Sequence, residues 1–375
     1  MKKILFYIYS LNKGGAERVL LTLADKLNKD ENTEIVIVTD TVDEREYKLP
    51  QGIRRINLEE TSVFVNLAKL NVRLKGIARL LSFRKVCRNE APDKIVAFMV
   101  SGAIRAIRAT AFSKYKVIAA VRSNPYEEFG EHKAHKRLIK TFANAEKIIC
   151  QTEYQKDFFV GLTNKCRVIF NPIFDDFEMI PYSGEREKTI VSTGRLFDYK
   201  NHKLLINAFV KLADKYPDYK LIIYGEGPYR QELEEEINAL SQVALSTRSN
   251  LKDRILLPGD SENVAEDIRR ASVYVLPSDT EGMPNGLMEA MALGLACIST
   301  DCPCGGPASL IEDGVNGCLV PVGDVELMTK KLDEVLSDIN LQNKLGNEAT
   351  KIRDICNADR IADMWRKELY EHNQQ

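Results

Sequence analysis

The sequence predicts an α/β protein of two domains, each built on a doubly wound parallel sheet. The chain has 375 residues, which is more than a single hydrophobic core usually organises. Short runs rich in β-branched residues alternate with longer helical spans, a pattern typical of parallel sheets. This alternation occurs twice, and residues 171–184, with two prolines and a glycine, separate the two series.

The first series defines a predicted N-terminal domain of residues 1–172. A helix is expected from Val19 to Asn28, after a turn that contains Gly14 and Gly15. Glycines allow the backbone to approach a ligand closely where a helix begins. The turn matches neither the G-x-G-x-x-G dinucleotide fingerprint nor the P-loop, so a tight turn without a ligand is the alternative. The buried strands of this domain are expected at residues 3–9, 34–38, 94–98, 116–121 and 147–151.

The second series follows a predicted linker of residues 173–187 and defines a C-terminal domain of residues 188–357. An amphipathic helix is expected at the end of the chain, within residues 358–375. The strands of the second domain are expected at residues 189–194, 219–225, 254–257, 272–276 and 295–299. Each domain therefore has the elements of a Rossmann-like fold.

The segment from Ser278 to Glu289 is the most informative stretch of the chain. It follows a buried strand and becomes helical near Asn285. A strand that ends in a Gly/Pro/Asn loop and opens a helix presents backbone N–H groups and the positive end of the helix, which suit phosphate. Glu281 and Glu289 are eight residues apart, a path of roughly 12 Å or more, and can accept hydrogen bonds from hydroxyls at two ends of one ligand. These features indicate a nucleotide sugar.

The stretch Pro277-Ser-Asp-Thr-Glu-Gly-Met-Pro-Asn-Gly-Leu-Met-Glu-Ala-Met-Ala-Leu-Gly294 resembles the donor-site motif of the retaining GT-B glycosyltransferases of family 4. An ordinary strand-loop-helix corner with surface glutamates would explain each residue singly but not the set. The resemblance implies two Rossmann-like doubly wound domains that face a cleft. It also implies a C-terminal helix that crosses back to the first domain.

Arg195 and Lys200 supply positive charge after the first strand of the second series, within a Gly-Arg-x4-Lys-Asn sequence that also resembles the family. Glycosyl transfer from a nucleoside diphosphate builds negative charge on the leaving diphosphate, which cations or a metal ion must stabilise. Metal-dependent transferases commonly hold the ion with Asp-x-Asp, and the chain contains none. Arg offers a two-pronged donor and Lys a point charge. We therefore expect a reaction that needs neither a metal ion nor a cofactor.

The family resemblance assigns a role to each of these residues. Glu289 would bind the ribose hydroxyls, and Glu281 the hydroxyls of the donor sugar. The residues implied in catalysis are Arg195, Lys200 and Glu281. The residues implied in binding the UDP-sugar donor are Gly14, Gly15, Gly225, Glu226, Gly282, Met283, Pro284, Asn285, Gly286, Leu287 and Glu289. Retention in this family is described as front-face attack, in which a donor phosphate oxygen takes the proton of the acceptor.

One departure from the family follows the strand at residues 116–121. Many members carry a histidine there that faces the donor sugar, whereas this chain has Arg122, Ser123 and Asn124, one of which would replace it. This sequence and residues 299–307 are similar to a branch with N-acetylgalactosaminyltransferases and exopolysaccharide or lipid-linked oligosaccharide enzymes. The expected donor is UDP-N-acetylhexosamine or UDP-galactose. The expected acceptor is a saccharide, for example one linked to a polyisoprenyl diphosphate.

Residues 61–140 carry a local excess of positive charge. They hold seventeen Lys and Arg residues against five Asp and Glu residues, a net charge of +12. Residues 63–88 mix apolar and basic residues and contain no acid. This composition is typical of a helix on an anionic membrane surface, where each basic residue adds roughly 1 kcal/mol. A core helix with a solvated basic face is the alternative.

We expect a cytoplasmic protein attached peripherally to the inner face of the plasma membrane. The chain starts with no recognisable signal peptide and has no apolar run that reaches the length of a spanning helix. Its eight cysteines do not supply the two C-x2-4-C pairs of a zinc site. The overall net charge of −1 argues against nucleic-acid binding, and the aromatic residues are not interleaved with the basic ones as base stacking would require.

Four other functions are alternatives to a transferase that acts on a lipid-linked or polysaccharide-precursor saccharide. A nucleotide-sugar epimerase or a soluble transferase for a small metabolite would use the same fold. A non-catalytic nucleotide-sugar-binding protein is disfavoured, because it would have no need for the leaving-group cations Arg195 and Lys200. A dehydrogenase is disfavoured because the dinucleotide glycines are missing.

Overall fold

The first sheet has seven strands in the order β3-β2-β1-β4-β5-β6-β7, all parallel. The computed structural model of the chain describes residues 2–70, 74–177, 181–244 and 251–370. The strands of this sheet are β1 (Lys2–Ile8), β2 (Thr33–Thr39), β3 (Arg54–Asn57), β4 (Lys94–Phe98), β5 (Val117–Ala120), β6 (Lys147–Cys150) and β7 (Cys166–Val168). The five strands predicted for this domain are confirmed. The edge strands β3 and β7 were not predicted, because they are short and carry polar residues.

The second sheet has six parallel strands in the order β10-β9-β8-β11-β12-β13. Its strands are β8 (Glu187–Thr193), β9 (Lys220–Tyr224), β10 (Ile255–Gly259), β11 (Ala271–Leu276), β12 (Ala296–Thr300) and β13 (Cys318–Val320). All six residues of β11 are buried, as expected for a central parallel strand with helices on both faces. The five predicted strands are confirmed, and the three-residue edge strand β13 was not predicted.

Helices connect these strands. In the part of the chain that forms the first sheet they are α1 (Gly15–Asn28), α2 (Ser62–Leu70), α3 (Lys75–Glu90), α4 (Val100–Ala109), α5 (Pro125–Phe129), α6 (His132–Phe142) and α7 (Glu153–Phe158). Those that follow are α8 (His202–Leu212), α9 (Arg230–Ala244), α10 (Val264–Ile268), α11 (Asn285–Ala292), α12 (Gly306–Leu310), α13 (Val325–Ser337), α14 (Ile339–Ala349), α15 (Ile352–Cys356) and α16 (Ala358–Tyr370).

The chain forms two units. The first contains Met1–Pro172 and Ala358–Gln375, and the second contains Ile173–Asn357. The start of the predicted linker belongs to the second unit, where the Ile173 N–H donates to the Cys356 carbonyl at 2.8 Å. Residues 178–180 of that linker lie outside the described residues.

The last helix, α16, packs on the first unit, as predicted. Its buried residues include Ile361, Trp365 and Leu369, which recur every four positions and form one apolar face. Trp365 stacks on Phe98 of β4, with ring centroids 6.2 Å apart. The Tyr370 hydroxyl lies 2.6 Å from Thr33 Oγ1 of β2. The final five residues of the predicted helix, 371–375, lie outside the described residues.

The basic segment of residues 63–88 forms two helices, α2 and α3, and Arg73 between them lies outside the described residues. One face of α3 is buried in the first unit through Ala78, Phe83 and Val86. This confirms that α3 is a core-packing helix. Its outer face exposes Ile77, which is 56% exposed. No helix in the described ranges combines the length and the apolar character that a membrane span requires.

Candidate active site

The carboxyl ends of β8 and β11 lie side by side where the strand order of the second sheet reverses. The loop after β8 carries Arg195 and Lys200, and the loop after β11 carries Glu281. Because neighbouring parallel strands end at the same edge, the fold brings together residues 81 positions apart in the chain. Open α/β sheets bind their ligands at such a reversal.

An ion pair between Lys200 and Glu281 connects the two loops. Lys200 Nζ lies 2.6 Å from Glu281 Oε1, and the side chains are only 17% and 10% exposed. The Ser278 hydroxyl donates a second hydrogen bond to Glu281 Oε1 at 2.7 Å. A partly buried pair with an additional donor holds both charged groups in fixed positions. The sequence placed Lys200 and Glu281 in one site, and the structure shows that they also contact each other.

Asn201 and Asp279 fix the backbone beside this ion pair. Asn201 Nδ2 donates to Asp279 Oδ1 at 2.7 Å, and the Asp279 N–H donates to the Tyr199 carbonyl at 2.8 Å. Asn201 has a φ of 45°, a left-handed conformation that Asn adopts more readily than most residues. Its side chain also accepts a hydrogen bond from the Leu204 N–H at 3.3 Å and caps α8. Roles for Asp279 and Ser278 were not predicted, although both residues lie within the motif segment.

Lys200 supplies positive charge beside Glu281, and Arg195 lies on the same loop as Lys200. Arg195 is exposed, and its guanidinium lies 5.1 Å from the centre of the Phe197 ring. His202 begins α8 and is buried. Burial, with a smaller effect from the charge of Lys200, lowers the pKa of His202 to about 3. His202 is therefore neutral at physiological pH and adds no charge to the site.

Gly225 allows the loop after β9 to lie against the loop after β8. Its φ is +139°, and a Cβ at this position would lie 2.0 Å from the carbonyl oxygen of Gly194. Glu226 follows it and pairs with Arg230, with Oε1 and Nη1 2.6 Å apart. The Leu196 N–H donates to the Glu226 carbonyl at 2.9 Å. The structure thus places the predicted donor-binding residues Gly225 and Glu226 next to the loop of Arg195.

The first turn of α11 lies directly over the ends of β8 and β11. A Cβ at Gly286 would come within 2.6 Å of both Thr193 Oγ1 and the Tyr274 hydroxyl. The N-cap residue, Pro284, provides no side-chain hydrogen bond to the N–H groups of the first turn. Those groups suit a phosphate. Of the predicted phosphate-binding segment, the buried residues are Met283, Pro284 and Leu287, and the partly exposed ones are Gly282, Asn285 and Gly286.

Glu289 is buried on α11, with 7% of its surface exposed. The phenol of Tyr274, on β11, lies close enough to Glu289 and Glu281 for the charges of both to affect it. Burial above all, with smaller contributions from the charges of Glu289 and Glu281, raises the pKa of the Tyr274 phenol. The phenol therefore stays protonated, 3.1 Å from Thr193 Oγ1. Tyr274 packs beneath the site. The sequence did not indicate this role, because a tyrosine within a buried strand cannot be told from any other core residue by its position in the hydrophobic pattern.

The other predicted positions lie in the first unit. Gly14 is the N-cap of α1 in an extended conformation, and Gly15 is the first residue of that helix. Asn124 Oδ1 accepts a hydrogen bond from the Tyr126 N–H at 3.1 Å and caps α5. Ser123 Oγ is buried without a hydrogen-bond partner. The predicted role of Ser123 and Asn124 toward a sugar stays a prediction.

Arg122 is buried in the first unit. Its guanidinium carbon lies 5.6 Å from the ring centre of Phe98 and 5.4 Å from that of Trp365. Arg122 Nη1 donates to Asn171 Oδ1 at 3.1 Å. Burial lowers the pKa of Arg122 to about 10, so it stays charged at physiological pH. These contacts show a structural role that the sequence did not predict, and its role toward a sugar likewise stays a prediction.

Cysteines and acidic residues form no other recognisable centre. All eight cysteines are buried free thiols. Among the residues that the structure describes, no group of three or more His, Cys, Asp or Glu side chains is arranged to hold a metal ion.

Comparison with protein-family models gives two matches. The model "Glycosyl transferases group 1" matches residues 176–352, and the model "Glycosyltransferase Family 4" matches residues 13–177. The first match contains all six strands of the second sheet, and the second contains the first sheet except β1.

Two relatives from Campylobacter jejuni are similar over nearly the whole chain. The chain is 29% identical to "GalNAc-alpha-(1->4)-GalNAc-alpha-(1->3)-diNAcBac-PP-undecaprenol alpha-1,4-N-acetyl-D-galactosaminyltransferase", with 99% of each chain covered. It is 28% identical to "N-acetylgalactosamine-N,N'-diacetylbacillosaminyl-diphospho-undecaprenol 4-alpha-N-acetylgalactosaminyltransferase", with 93% of this chain and 94% of the relative covered. Among solved structures, Anabaena HepE in complex with UDP has the same fold, with a TM-score of 0.80, 16% identity and coverage of 98% and 99% of the two chains.

The close contact at Gly286 predicts a loss of stability when a methyl group is added. Gly286→Ala should destabilise the protein by about 1–3 kcal/mol, because the new Cβ overlaps Thr193 and Tyr274. Gly76→Ala is the matched control, since Gly76 is also helical and has nothing within 4 Å of its virtual Cβ. It should gain about 0.5–1 kcal/mol. Urea denaturation of both variants measures the difference, and equal stabilities would contradict the close contact.

Proposed function

Since the chain belongs to the family 4 glycosyltransferases of the GT-B fold, we propose that it transfers a sugar from a UDP-sugar to a saccharide acceptor with retention of configuration. The observation that carries this proposal is the Lys200–Glu281 ion pair at the strand reversal of the second sheet. The pair lies at the same sheet edge as the uncapped first turn of α11. A cation, a carboxylate and the N–H groups of a helix N-terminus at one edge match the phosphates and hydroxyls of a nucleotide sugar.

Lys200 and Glu281 would bind different parts of the donor. When the donor binds, Lys200 would leave Glu281 and pair with the diphosphate, and Glu281 would accept hydrogen bonds from hydroxyls of the sugar. Arg195, which is exposed on the same loop as Lys200, would contact further phosphate oxygens. Negative charge that develops on the diphosphate is then stabilised by groups already in place. These protein cations are the reason why we propose a reaction without a metal ion.

Bond making and breaking would occur on one face of the sugar. The bond from the anomeric carbon to the diphosphate oxygen breaks, and a bond from that carbon to the acceptor oxygen forms on the same side. The acceptor proton moves to a donor phosphate oxygen, so no protein base is needed. Glu289 would hold the ribose, and the Gly14–Gly15 turn would bind phosphate oxygens of a substrate through the first N–H groups of α1.

The names of the two Campylobacter jejuni relatives support a more specific substrate pair. Both are N-acetylgalactosaminyltransferases whose names contain an undecaprenol-linked saccharide. We therefore propose UDP-N-acetylhexosamine as the donor, with UDP-galactose as the second candidate, and a polyprenyl-diphosphate-linked saccharide as the acceptor. The UDP in the Anabaena structure supports uridine as the base.

We further propose that the outer faces of α2 and α3 contact an anionic membrane, where such an acceptor would lie. Lys69 and Lys85 are exposed, and Ile77 offers an apolar group on the same pair of helices. Arg79 does not contribute, because it forms an ion pair with Glu59 inside the unit. A basic face with a few apolar groups suits the surface of a bilayer. The protein would be attached peripherally to the inner face of the plasma membrane.

The donor proposal predicts a selective response to one nucleotide sugar. In a thermal-shift panel of UDP-, GDP- and ADP-sugars in EDTA, one UDP-sugar should stabilise the protein by about 2.7 kcal/mol at a hundred times its Kd. Slow release of UDP from the same sugar should accompany the shift. An isomerised UDP-sugar would identify an epimerase instead. No response to any nucleotide sugar would contradict the donor site, and a response that appears only when a divalent metal ion replaces EDTA would contradict its independence of metal ions.

Removal of the Lys200 charge should slow the reaction. Lys200→Ala should raise the barrier by about 2–4 kcal/mol, because a preorganised charge opposite the leaving diphosphate is lost. Lys203→Ala is the control, since Lys203 on the next turn contacts Tyr229, 5.1 Å from the ring centre, and not Glu281. Steady-state kinetics with saturating donor measure both variants. Wild-type turnover in Lys200→Ala would remove Lys200 from the mechanism.

The membrane proposal predicts that vesicle binding depends on where three basic residues lie and not on the net charge of the protein. Replacing Lys69, Arg84 and Lys85 with Gln should weaken binding to vesicles that contain anionic lipid by about 3 kcal/mol. Replacing the exposed Lys252, Lys330 and Lys344 of the second unit with Gln makes the same change in net charge and should have little effect. Vesicle sedimentation compares the two. Equal binding of both triple variants would assign the basic face to solvent.

A further inference from the structure

The loop that leads from β1 to Gly14 is held by a segment that contains none of the predicted site residues. This segment, residues 41–47, is called the brace here. The Leu11 N–H donates to Glu46 Oε1 at 3.1 Å. The Tyr47 N–H donates to the Leu11 carbonyl at 3.0 Å, and the Lys13 N–H donates to the Arg45 carbonyl at 3.3 Å. These hydrogen bonds connect the brace to Leu11 and Lys13, and a fourth, donated by Asn12 Nδ2 to Asp43 Oδ2 at 3.4 Å, connects it to Asn12.

Arg55 of β3 anchors the brace through Glu46. Arg55 Nη1 lies 2.5 Å from Glu46 Oε2, and Nη2 lies 3.1 Å from Glu46 Oε1. The same guanidinium donates to the Thr41 carbonyl at 2.6 Å and to Thr39 Oγ1 at 2.8 Å. The side chains of Arg55 and Glu46 are 14% and 8% exposed. A bidentate, largely buried pair of this kind fixes orientation as well as distance.

Glu46 is ionised in this arrangement. Burial alone would raise its pKa, but the hydrogen bonds from Arg55 and from the Leu11 N–H hold the pKa below its usual value. The Glu46 carboxylate therefore accepts hydrogen bonds from Arg55 of β3 and from the Leu11 N–H of the loop before Gly14. The link is present at neutral pH and is lost only as the pH falls through the lowered pKa.

The Gly14–Gly15 turn has no side chain of its own that could fix its backbone. Gly14, the N-cap of α1, has an extended backbone and provides no side-chain cap. Two adjacent glycines leave the unconstrained chain many conformations. N–H groups that bind phosphate must be in place before the ligand arrives, or ordering them lowers the affinity. The brace provides a physical means of ordering this turn.

We propose that Glu46 and Arg55 are positioning residues that hold the Gly14–Gly15 turn in its substrate-binding conformation. This inference rests on the proposed function, in which the turn binds phosphate oxygens of a substrate. Neither residue touches the substrate. Arg55 acts on Glu46, and Glu46 acts on the Leu11 N–H.

The neighbouring residue on β3 provides a matched control. Arg54 forms ion pairs with Glu34 and Glu90, and its side chain is 45% exposed. It carries the same charge as Arg55 and lies on the same strand, but neither of its ion pairs involves the brace. Arg54→Gln and Arg55→Gln therefore differ in the link to the glycine loop and not in net charge.

The experiment combines hydrogen exchange at residues 11–15 with donor kinetics. Arg55→Gln and Glu46→Ala should each raise amide exchange in this loop by about tenfold and lower kcat/KM by about 10- to 100-fold. Arg54→Gln should change neither quantity. Glu46→Gln keeps an acceptor for the Leu11 N–H and should fall between wild type and Glu46→Ala. The effects of Glu46→Ala and Arg55→Gln should not add in the double variant, since both break one link.

Each possible result has a distinct meaning. Unchanged exchange in Arg55→Gln, or an equal effect of Arg54→Gln, would overturn the positioning role. Raised exchange with wild-type kinetics would overturn the substrate role of the turn, and so the inference. The Lys200→Ala kinetics test the donor site separately. Absence of any transfer by the wild-type protein would overturn the proposed function and, with it, this inference.

Discussion

In both sheets the strand order reverses beside the first strand, between β1 and β4 and between β8 and β11. The connections that leave these strands pass to opposite faces of the sheet, so the loops diverge and expose backbone N–H groups at the carboxyl edge. Arg195 and Lys200 reach the edge of the second sheet from one side, and Glu281 and α11 reach it from the other. The buried strands beneath give this arrangement its rigidity, because their packing allows little movement of the loop ends.

The Lys200–Glu281 pair makes a charged site compatible with a stable domain. An unpaired charge in a largely buried position would cost several kcal/mol. The pair and the Ser278 hydroxyl satisfy each other, and Asn201 with Asp279 fixes the two loops that carry them. Under the proposed function, the donor offers phosphate to Lys200 and hydroxyls to Glu281. Hydrogen bonds are then exchanged rather than lost, and the site needs little reorganisation to bind.

Local sequence predicted most of the fold and the composition of the site. The central strands are long and apolar, and the segment from Ser278 to Glu289 carries its turn residues in order, so both were recognisable. The strands β3, β7 and β13 were missed because edge strands are short and need only one neighbour. The contacts of Lys200 with Glu281 and of Arg55 with Glu46 were missed for another reason. Each joins side chains from separate elements, and no periodic pattern specifies which charged residues will meet.

Arg122 shows how a distant element determines a local one. Its Nε and Nη2 are buried without hydrogen-bond partners, and it forms no ion pair within the described part of the chain. Stacking against Phe98 and Trp365 is then a main source of compensation, at about 0.5–2 kcal/mol for each ring. Trp365 belongs to α16, so the residue after β5 is held by the last helix of the chain. The loop after β5, which carries Arg122, therefore takes its conformation from the complete first unit. A resemblance based on the local motif could suggest that Arg122 binds a ligand. It could not predict that Trp365 of α16 would contact the same guanidinium.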